Sequence, residues 1–188
     1  THTYHGWYVV AVCMIVAIVT ARGAFGVFVI PMSEEFGWGR GAISIAASMG
    51  FLFHGLMQPL LGKALDRFGG RRVILVSLTI FGLATAALGL TFHILFVIFM
   101  FGVIAGTSFS GTSPANTGAL IVKWFRRRRA TAAGLNGAGV ALGGLLIIPL
   151  AAYMIQATNW RLAWVTLGLI VLLVAVPPVY LVVHDDPE

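Results

Sequence analysis

The amino-acid sequence predicts an all-α membrane protein with six transmembrane helices, arranged as two repeats of three. Three observations lead to this prediction: a very apolar composition, uncharged segments of membrane-spanning length, and basic residues gathered on one side of those segments. Of the 188 residues, 59% are hydrophobic and 10% are charged, whereas a soluble domain is about 45–50% apolar. A chain of this composition is expected to fold in a lipid bilayer.

Five segments of the chain contain no Asp, Glu, Lys or Arg, and a sixth, towards the N-terminus, contains only Arg22. A helix needs about 20 residues to cross the hydrocarbon core of a bilayer. Inside lipid the backbone must pair its own N–H and C=O groups, so long apolar segments are expected to be helical. The predicted helices form a single bundle over residues 1–188: Trp7–Ile30, Gly41–Leu61, Val73–Thr91, Ile94–Val122, Ala130–Thr158 and Leu162–Val183.

Most of the basic residues lie in two connections between these predicted helices. By the positive-inside rule, those connections and both chain termini are cytoplasmic. The basic residues therefore predict a multi-pass protein of the cell membrane, inner or plasma, with anionic lipid headgroups as neighbours and no nucleic acid as partner. Nine of the 12 Lys and Arg residues belong to this group: Lys63, Arg67, Arg71, Arg72, Lys123 and Arg126–Arg129.

Polar side chains are concentrated in the first, second, fourth and fifth predicted helices, whereas the third and sixth are apolar on nearly every side. Because polar groups are costly in lipid, they are expected to face partner helices or a water-filled cavity. Four helices are therefore predicted to be inner and two outer. The pattern recurs after three helices, as in the internal repeats of many transporters.

Small residues recur at every fourth position of the fourth and fifth predicted helices. This spacing forms stripes along which helix backbones approach closely, either for packing alone or also for helices that rock against each other. Pro114 and Pro149 are predicted to kink their helices. The stripes consist of Gly102, Gly106, Ser110, Pro114 and Gly118, of Ala133, Gly137 and Ala141, and of Gly139 and Gly143.

Arg22 is a charged residue inside a predicted transmembrane helix. It lies about fifteen residues into that helix, which places it about 22 Å along the axis at about 1.5 Å per residue. A charge at the bilayer centre costs roughly 2.5–3.5 kcal/mol. The guanidinium either extends to the outer headgroups or attracts an anionic substrate into a cavity.

Four further polar residues in the second and fourth predicted helices are candidates for substrate contact. His54 either bonds to a neighbouring helix, binds substrate or relays a proton, and Gln58 lies one turn later on the same face. In the fourth helix, Pro114 frees a carbonyl one turn earlier, which Ser110 or Asn116 is expected to satisfy. Asn116 and Ser110 are also predicted to contact substrate.

Other chemistry is not indicated by the sequence. Cys13 is the single cysteine, and it is expected to be a buried thiol. No metal cluster, nucleotide-binding loop or nucleophilic triad appears, so no catalytic residue, metal or cofactor is predicted and the chain is not expected to be an enzyme. None of the acids lies within a predicted helix: these are Glu34, Glu35, Asp66, Asp185, Asp186 and Glu188. Proton coupling would therefore use His54, the substrate's own carboxyl, or a group outside this chain.

The stretch GKALDRFGGRRV, Gly62–Val73, holds five of the eighteen Asp, Glu, Lys and Arg residues. We expect it to be a loop, with Gly69 and Gly70 forming a tight reversal. It contains the pattern G-x-x-x-D-R-x-G-x-R-R, and its specified positions are Gly62, Asp66, Arg67, Gly69, Arg71 and Arg72.

This pattern resembles the signature loop between the second and third helices of major facilitator superfamily transporters. The resemblance implies that the chain is the N-terminal half of a twelve-helix transporter, with a second six-helix half as its partner. It also implies that Asp66 latches the two halves together on the cytoplasmic side. The glycines of the pattern would shape this latch, and its arginines would surround the acid.

A second stretch, KWFRRRRATAAGLNGAG at Lys123–Gly139, resembles the helix four–five signature of monocarboxylate transporters and oxalate/formate antiporters. His5 stands where that branch carries an acid before its Gly-Trp pair. The resemblance implies secondary active transport of a small organic anion such as lactate or pyruvate, with proton symport, by alternating access. Two alternatives stay open: an anion exchanger of the oxalate/formate kind, and a six-helix membrane scaffold or channel.

Overall fold

The computed structural model describes residues 2–125 and 127–184. Arg126 and the acids Asp185, Asp186 and Glu188 lie outside the described residues. Within the described ranges the chain is helical, without strands, and six helices are long and apolar enough to cross a membrane. The prediction of an all-α protein with six membrane-spanning helices is therefore confirmed. We number them spans 1 to 6: His5–Phe36, Arg40–Phe68, Gly70–Leu90, Ile94–Trp124, Arg129–Ala157 and Trp160–Val182.

The charged stretch between spans 2 and 3 is mostly helical, so the prediction of a loop over Gly62–Val73 was wrong. Span 2 continues to Phe68 as one helix, and span 3 begins at Gly70. The reversal is made by Gly69, whose φ of 88° is readily adopted by glycine. The physical reason is that charged side chains mark where the hydrocarbon ends, whereas Lys and Arg are good helix formers and let the helix continue into the headgroup region.

Span 1 is interrupted near its middle, which the sequence pattern did not predict. Its first helix, His2–Val19, ends before Ala21, which has φ −60° and ψ 103°. A short 3₁₀ turn at Arg22–Ala24 follows, and the second helix is Phe25–Phe36. Arg22 therefore lies in a break between two half-helices instead of on a continuous helix.

Span 4 is also interrupted, at the predicted position. Ser113 is extended, with φ −60° and ψ 152°, and Pro114 begins the next helix. Proline removes a helical N–H and suits the first position of a helix, so Pro114 produces a break and not only a kink. Pro149, in contrast, lies inside the uninterrupted helix Arg129–Ala157. Spans 4 and 6 each contain a π-helical segment, Ile98–Ala105 and Val171–Ala175.

The spans pack in three principal pairs: 1 with 5, 2 with 4, and 3 with 6. If spans 1, 2 and 3 are exchanged with spans 4, 5 and 6, the pair 1–5 becomes 4–2 and the pair 3–6 is unchanged. The packing therefore follows the symmetry that a 3+3 repeat requires.

Glycine mediates the closest approach in each of the three pairs. A Cβ added at Gly143 would lie 2.7 Å from the carbonyl oxygen of Ile18, and one at Gly106 would lie 2.7 Å from that of Gly50. In the third pair, a Cβ at Gly168 would lie 2.6 Å from the carbonyl oxygen of Gly82. The predicted stripes are only partly used, because Gly118 and Gly137 face open space.

Burial is uneven among the spans. Of the 18 most apolar consecutive residues in each span, the buried share is 50% in span 3, 17% in span 2 and 22% in span 5. Cys13 is buried, as expected. Spans 2 and 5 thus have the largest uncovered faces within this bundle, and which spans face lipid stays a prediction.

At the predicted outer side, three spans are tied together by one charged cluster. Arg161 at the start of span 6 forms an ion pair with Glu35 of span 1, with an Nη2 to Oε1 distance of 2.8 Å. Its Nη1 donates to the carbonyl oxygen of Thr91 at 2.7 Å, and the Trp160 indole donates to Glu35. The cluster fixes the outer end of span 1 against spans 3 and 6.

Two adjacent glycines of span 5 test the close pairing of spans 1 and 5. We expect Gly143→Ala to destabilise the protein by about 1–3 kcal/mol, because its Cβ would overlap the backbone of Ile18 and force the helices apart. Gly144→Ala is the matched control, since a Cβ there meets no atom within 4 Å. The measurement is the thermal unfolding midpoint in detergent. Equal midpoints for the two variants would contradict the packing described.

Candidate functional site

A hydrogen-bonded cluster joins spans 2 and 4 at the middle of the bundle. Nδ1 of His54 lies 3.1 Å from the hydroxyl oxygen of Ser110, and that hydroxyl donates to the carbonyl oxygen of His54 at 2.8 Å. The hydroxyl has one proton, and this geometry directs it to a carbonyl. Ser110 therefore accepts a hydrogen bond from Nδ1–H of His54. In the neutral ring the other nitrogen, Nε2, then carries the lone pair.

One turn further towards the predicted cytoplasmic end, a second pair of side chains joins the same spans. Nε2 of Gln58 donates to the hydroxyl of Ser113 at 2.9 Å, and that hydroxyl lies 3.3 Å from Oε1 of Gln58. Ser113 is the extended residue at the break in span 4. The amide of Gln58 thus lies against a helix end.

Asn116 satisfies the carbonyl that Pro114 leaves without its helical partner. Its Nδ2 donates to the carbonyl oxygen of Ser110 at 2.6 Å. Of the two residues expected from the sequence to fill this role, it is Asn116 that does so. The side chain therefore stabilises the break and holds Ser110 in the position from which it contacts His54.

Asn136 of span 5 extends this polar network and was not among the candidates from the sequence. Its Nδ2 donates to the hydroxyl of Thr117 at 2.9 Å, while its Oδ1 is buried without a hydrogen-bond partner among the described residues. The sequence did contain a signal for Asn136, because an amide side chain within a membrane helix is expected to have a polar partner. Its partner on span 4 could only be known from the packing.

The guanidinium of Arg22 lies between spans 1, 2 and 4, against three aromatic rings. Cζ is 4.8 Å from the ring centroid of Phe101, 5.4 Å from that of Phe51 and 5.5 Å from that of Phe109. Cation–π contacts are worth about 0.5–2 kcal/mol each, depending on desolvation. The side chain therefore points into the bundle instead of extending along span 1 to the outer headgroups.

Among the described residues, no acid forms an ion pair with Arg22. Its Nε and Nη1 atoms are buried and have no hydrogen-bond partner among the described residues. The described acids are Glu34, Glu35 and Asp66, and all three are exposed near the ends of spans. Because a buried unpaired charge is costly, the arrangement favours an anion as the missing partner.

Gly50 makes room for this guanidinium. A Cβ added at Gly50 would lie 1.8 Å from Nη2 of Arg22, so a side chain there would force the guanidinium to move. The same glycine is where span 2 meets Gly106 of span 4. Gly50 was missed in the sequence because its importance arises from a neighbour 28 positions away.

Phe109 connects Arg22 with the His54 cluster. The rings of His54 and Phe109 have centroids 5.0 Å apart, and Phe109 also lies under the guanidinium. The structure thus brings together all five residues predicted to contact substrate: Arg22 beside Phe109, and His54, Gln58, Ser110 and Asn116 along the contact of spans 2 and 4.

The residues of the predicted latch lie apart from this cluster, towards the predicted cytoplasmic end. Asp66 and Arg67 are exposed, and Arg71 donates from Nη2 to the carbonyl oxygen of Tyr180 at 2.6 Å. That bond ties the start of span 3 to the end of span 6. Gly62 lies where the latch residues meet the hydrogen-bonded cluster of spans 2 and 4, because a Cβ there would lie 3.7 Å from Oδ1 of Asn116.

The remaining latch residues, Gly69 and Arg72, flank the reversal between spans 2 and 3. Gly69 forms the turn itself. Arg72 lines an apolar groove between the two spans, together with Phe68 and Val76. The pattern found in the sequence therefore spans a helix end, a turn and a helix start.

The chain matches a known protein family. Residues 10–188 match the model of the Major Facilitator Superfamily. The chain is 30% identical over 172 residues to probable anion transporter 3, chloroplastic, of Arabidopsis thaliana, covering 86% of this chain and 32% of that protein.

Two human proteins are similar as well. The chain is 30% identical over 149 residues to a voltage-gated purine nucleotide uniporter, covering 75% of this chain and 33% of that protein. It is 27% identical over 155 residues to monocarboxylate transporter 14, covering 81% of this chain and 30% of that protein. The chain thus spans about a third of the length of these relatives. All are named as transporters, in agreement with the prediction that the chain is not an enzyme.

A double-mutant cycle tests the contact between Gly50 and Arg22. We expect Gly50→Ala to lower stability by about 1–3 kcal/mol, because the new methyl group displaces the guanidinium. Gly55→Ala is the control on the same span, since a Cβ there meets nothing within 4 Å. In Arg22→Ala the methyl group at position 50 meets no guanidinium, so the cost of Gly50→Ala should largely disappear. An unchanged cost in that background would show that the two residues do not interact.

Proposed function

The chain belongs to the Major Facilitator Superfamily, and from this premise we propose that it forms the N-terminal half of a secondary active transporter for a small organic anion. The observation that carries the proposal is the half-buried guanidinium of Arg22 at the centre of the bundle, whose Nε and Nη1 have no hydrogen-bond partner among the described residues. A monocarboxylate such as lactate or pyruvate would supply the missing negative charge. The printed names of an anion transporter and a monocarboxylate transporter among the relatives support this class of cargo.

The proposed binding residues have different roles in holding the anion. Nη2 of Arg22, which lies against Gly50, provides the charge for the carboxylate. His54 and Gln58 lie on the face of span 2 that reaches span 4, and both are half-buried. Ser113 holds Gln58 and Ser110 holds His54, while Asn116 holds Ser110 through its carbonyl oxygen. Ser110 and Asn116 provide further polar contacts for the cargo.

We propose that proton coupling acts through His54. Because Nδ1–H donates to Ser110, the neutral ring presents the lone pair of Nε2, which repels a carboxylate. Protonation turns Nε2 into a charged donor. Binding of the anion and of the proton would then favour each other, which is what a proton symporter requires.

The second half of the transporter is proposed to cover spans 2 and 5. These are the least buried spans, and they expose large apolar side chains such as Phe51 and Leu145. The relatives are about three times as long as this chain, which leaves room for six more helices. Alternating access would arise as the two halves rock about a site near the midplane.

The membrane and orientation are part of the same proposal. The basic residues between spans 2 and 3 and between spans 4 and 5 favour a cytoplasmic position for those connections and both termini. We propose the cell membrane, inner or plasma, as the location. Asp66, exposed at the cytoplasmic end of span 2, would form the latch to the second half.

Anion exchange is the second candidate, and one feature favours it. With no intramembrane acid among the described residues, one anion can replace another at Arg22 without a proton. Uptake of labelled lactate or pyruvate by the full-length protein in liposomes distinguishes the two. A symporter is driven by an inward proton gradient, whereas an exchanger needs an anion inside the liposome. Lack of saturable uptake under both conditions would contradict the proposed function.

Substitution of His54 and Asn116 tests the binding residues. We expect His54→Ala and Asn116→Ala each to weaken substrate affinity about tenfold or more, because each removes a hydrogen bond to a charged group or the residue that positions it. The measurement is KM for uptake. His93→Ala is the control, because His93 caps the outer start of span 4. Unchanged KM in both variants would mean that the two residues only pack spans 2 and 4.

Substitution of Asp66 tests the latch. We expect Asp66→Asn to slow turnover about tenfold, which corresponds to about 1.4 kcal/mol in the barrier, with little change in KM. Glu34→Gln removes an exposed acid at the opposite end of the bundle and should leave both values unchanged. A kcat of Asp66→Asn equal to that of the wild type would contradict the proposal that Asp66 forms a latch.

A further inference from the structure

One stripe along span 2 differs from the rest of its surface. Residues spaced by three and four lie on one face of a helix, and along span 2 this spacing joins polar and small residues with a single aromatic ring. The stripe consists of Ser44, Ser48, Phe51, Gly55, Gln58 and Gly62. Other large exposed side chains of the span, Leu52, Leu56 and Leu60, lie on a different face. Phe51 is therefore the large apolar member of an otherwise polar or small-residue stripe.

The ring of Phe51 is mostly uncovered, although it contacts the proposed anion-binding residue. Cζ of Arg22 lies 5.4 Å from the ring centroid, and this contact accounts for one face of the ring. Phe51 is nevertheless 68% exposed. Because a phenyl ring has two faces and an edge that another aromatic group can contact, a surface for a second ring remains beside the charge.

The space next to Phe51 on the stripe is open. Gly55 lies one turn further along span 2, and a Cβ added there meets no atom of the described residues within 4 Å. Gly55 is itself exposed. A flat group can therefore lie over Gly55, between Phe51 and Gln58, without displacing a side chain.

A second aromatic wall borders the guanidinium on the side of span 4. Phe109 is half-buried, and its ring centroid lies 5.5 Å from Cζ of Arg22 and 5.0 Å from the centroid of the His54 ring. The proposed polar contacts of the cargo are thus set among aromatic surfaces. A site with apolar walls and a few polar groups suits a ligand with an apolar body and a charged end.

We propose that the cargo is a monocarboxylate with an aromatic side chain, whose ring stacks on Phe51 while its carboxylate binds Nη2 of Arg22. This inference rests on the proposed function and narrows its substrate class. The methyl group of lactate or pyruvate covers little of Phe51. A phenyl ring, in contrast, makes the offset or edge-to-face contact that aromatic pairs prefer.

Charge favours this cargo over a helix of the second half as the group that covers Phe51. Whatever lies on the free side of the ring also lies close to Arg22, because Phe51 directly follows Gly50, which faces Nη2. An aromatic carboxylate brings a ring and a negative charge to adjacent positions. The two occupants also differ in effect, since a packed helix influences every cargo alike, whereas a stacking contact acts only on cargo with a ring.

Cargo pairs that differ only in a phenyl group test the inference on the full-length wild-type protein in liposomes. KM for uptake should be about tenfold lower for phenylpyruvate than for pyruvate, and likewise for phenyllactate than for lactate. Saturable uptake of pyruvate or lactate without this preference would overturn the inference and leave the proposed function standing. Lack of saturable uptake of all four compounds would contradict both.

A branched aliphatic cargo separates aromatic stacking from apolar size. The compound 4-methyl-2-oxopentanoate has the same head group as phenylpyruvate and a bulky side chain without a ring. Its KM should lie nearer to that of pyruvate, because it cannot stack on Phe51. A KM equal to that of phenylpyruvate would show that the site selects only for apolar bulk, and would overturn the aromatic assignment.

Substitution of Phe51 locates the ring of the cargo. Phe51→Ala and Phe51→Leu should each raise the ratio of KM for phenylpyruvate to KM for pyruvate about tenfold. The ratio cancels effects on folding or on packing of the second half, which both compounds share. Phe92→Ala is the control, since Phe92 is 73% exposed and stacks on Phe96 at 5.3 Å. An unchanged ratio in Phe51→Ala would show that Phe51 contacts the second half or lipid and not the cargo.

Substitution of Gly55 tests the open space beside Phe51. Gly55→Val fills this space, so it should raise the same ratio of KM values about tenfold, because the larger cargo loses more room. Gly41→Val is the control at the outer start of span 2, where an added Cβ also meets no atom of the described residues within 4 Å. Equal effects of Gly55→Val on the two compounds would place the ring elsewhere and overturn the proposed pose.

Discussion

The close crossing of spans 2 and 4 at Gly50 and Gly106 is the contact on which the centre of this bundle depends. Because Gly106 has no side chain, the two backbones approach until a Cβ there would lie 2.7 Å from the carbonyl oxygen of Gly50. At that distance the side chains beyond the crossing must meet each other. His54 consequently reaches Ser110, and Phe51 and Phe109 are brought against Arg22.

Arg22 lies at this crossing because span 1 is interrupted beside it. The interruption leaves Ala21 extended and begins a new helix at Phe25. The apolar core divides at the same level: Val19 packs with a cluster towards the predicted cytoplasmic side, and Ala21 with one towards the predicted outer side. The charge is therefore placed between two apolar cores, where it has aromatic neighbours and, within the part of the chain that the structure describes, no acid as ion-pair partner. In a low-dielectric interior, such a charge attracts anions strongly.

The three helix pairs show how one packing solution is used repeatedly. Each pair has a glycine at its closest approach, and exchange of the two three-helix units maps the pairs onto each other. Between lipid-facing helices there is little hydrophobic driving force, so tight backbone contact and interhelical hydrogen bonds carry more of the association. The outer cluster of Arg161, Glu35 and Trp160 adds a charged tie at the ends, where water is available.

The sequence alone determined the number of spans, their all-α character and the family, because these follow from hydropathy over about 20 residues and from a local pattern of Gly, Asp and Arg. It also pointed to four polar residues as candidates, because polar side chains are rare in membrane-spanning segments. The structure places them along the contact of spans 2 and 4: His54, Gln58, Ser110 and Asn116. It did not determine that Gly62–Phe68 is helical, since charge reports the edge of the hydrocarbon and not the end of a helix.

Only the tertiary structure decided which glycines matter, which residue satisfies the carbonyl freed by Pro114, and where the guanidinium of Arg22 points. Gly50 and Gly55 are indistinguishable in the sequence, yet only Gly50 faces Arg22. Likewise, Trp164 and Arg22 are 142 positions apart in the chain and line one cavity. These outcomes depend on how spans rotate and cross, and that is set by contacts between segments distant in sequence.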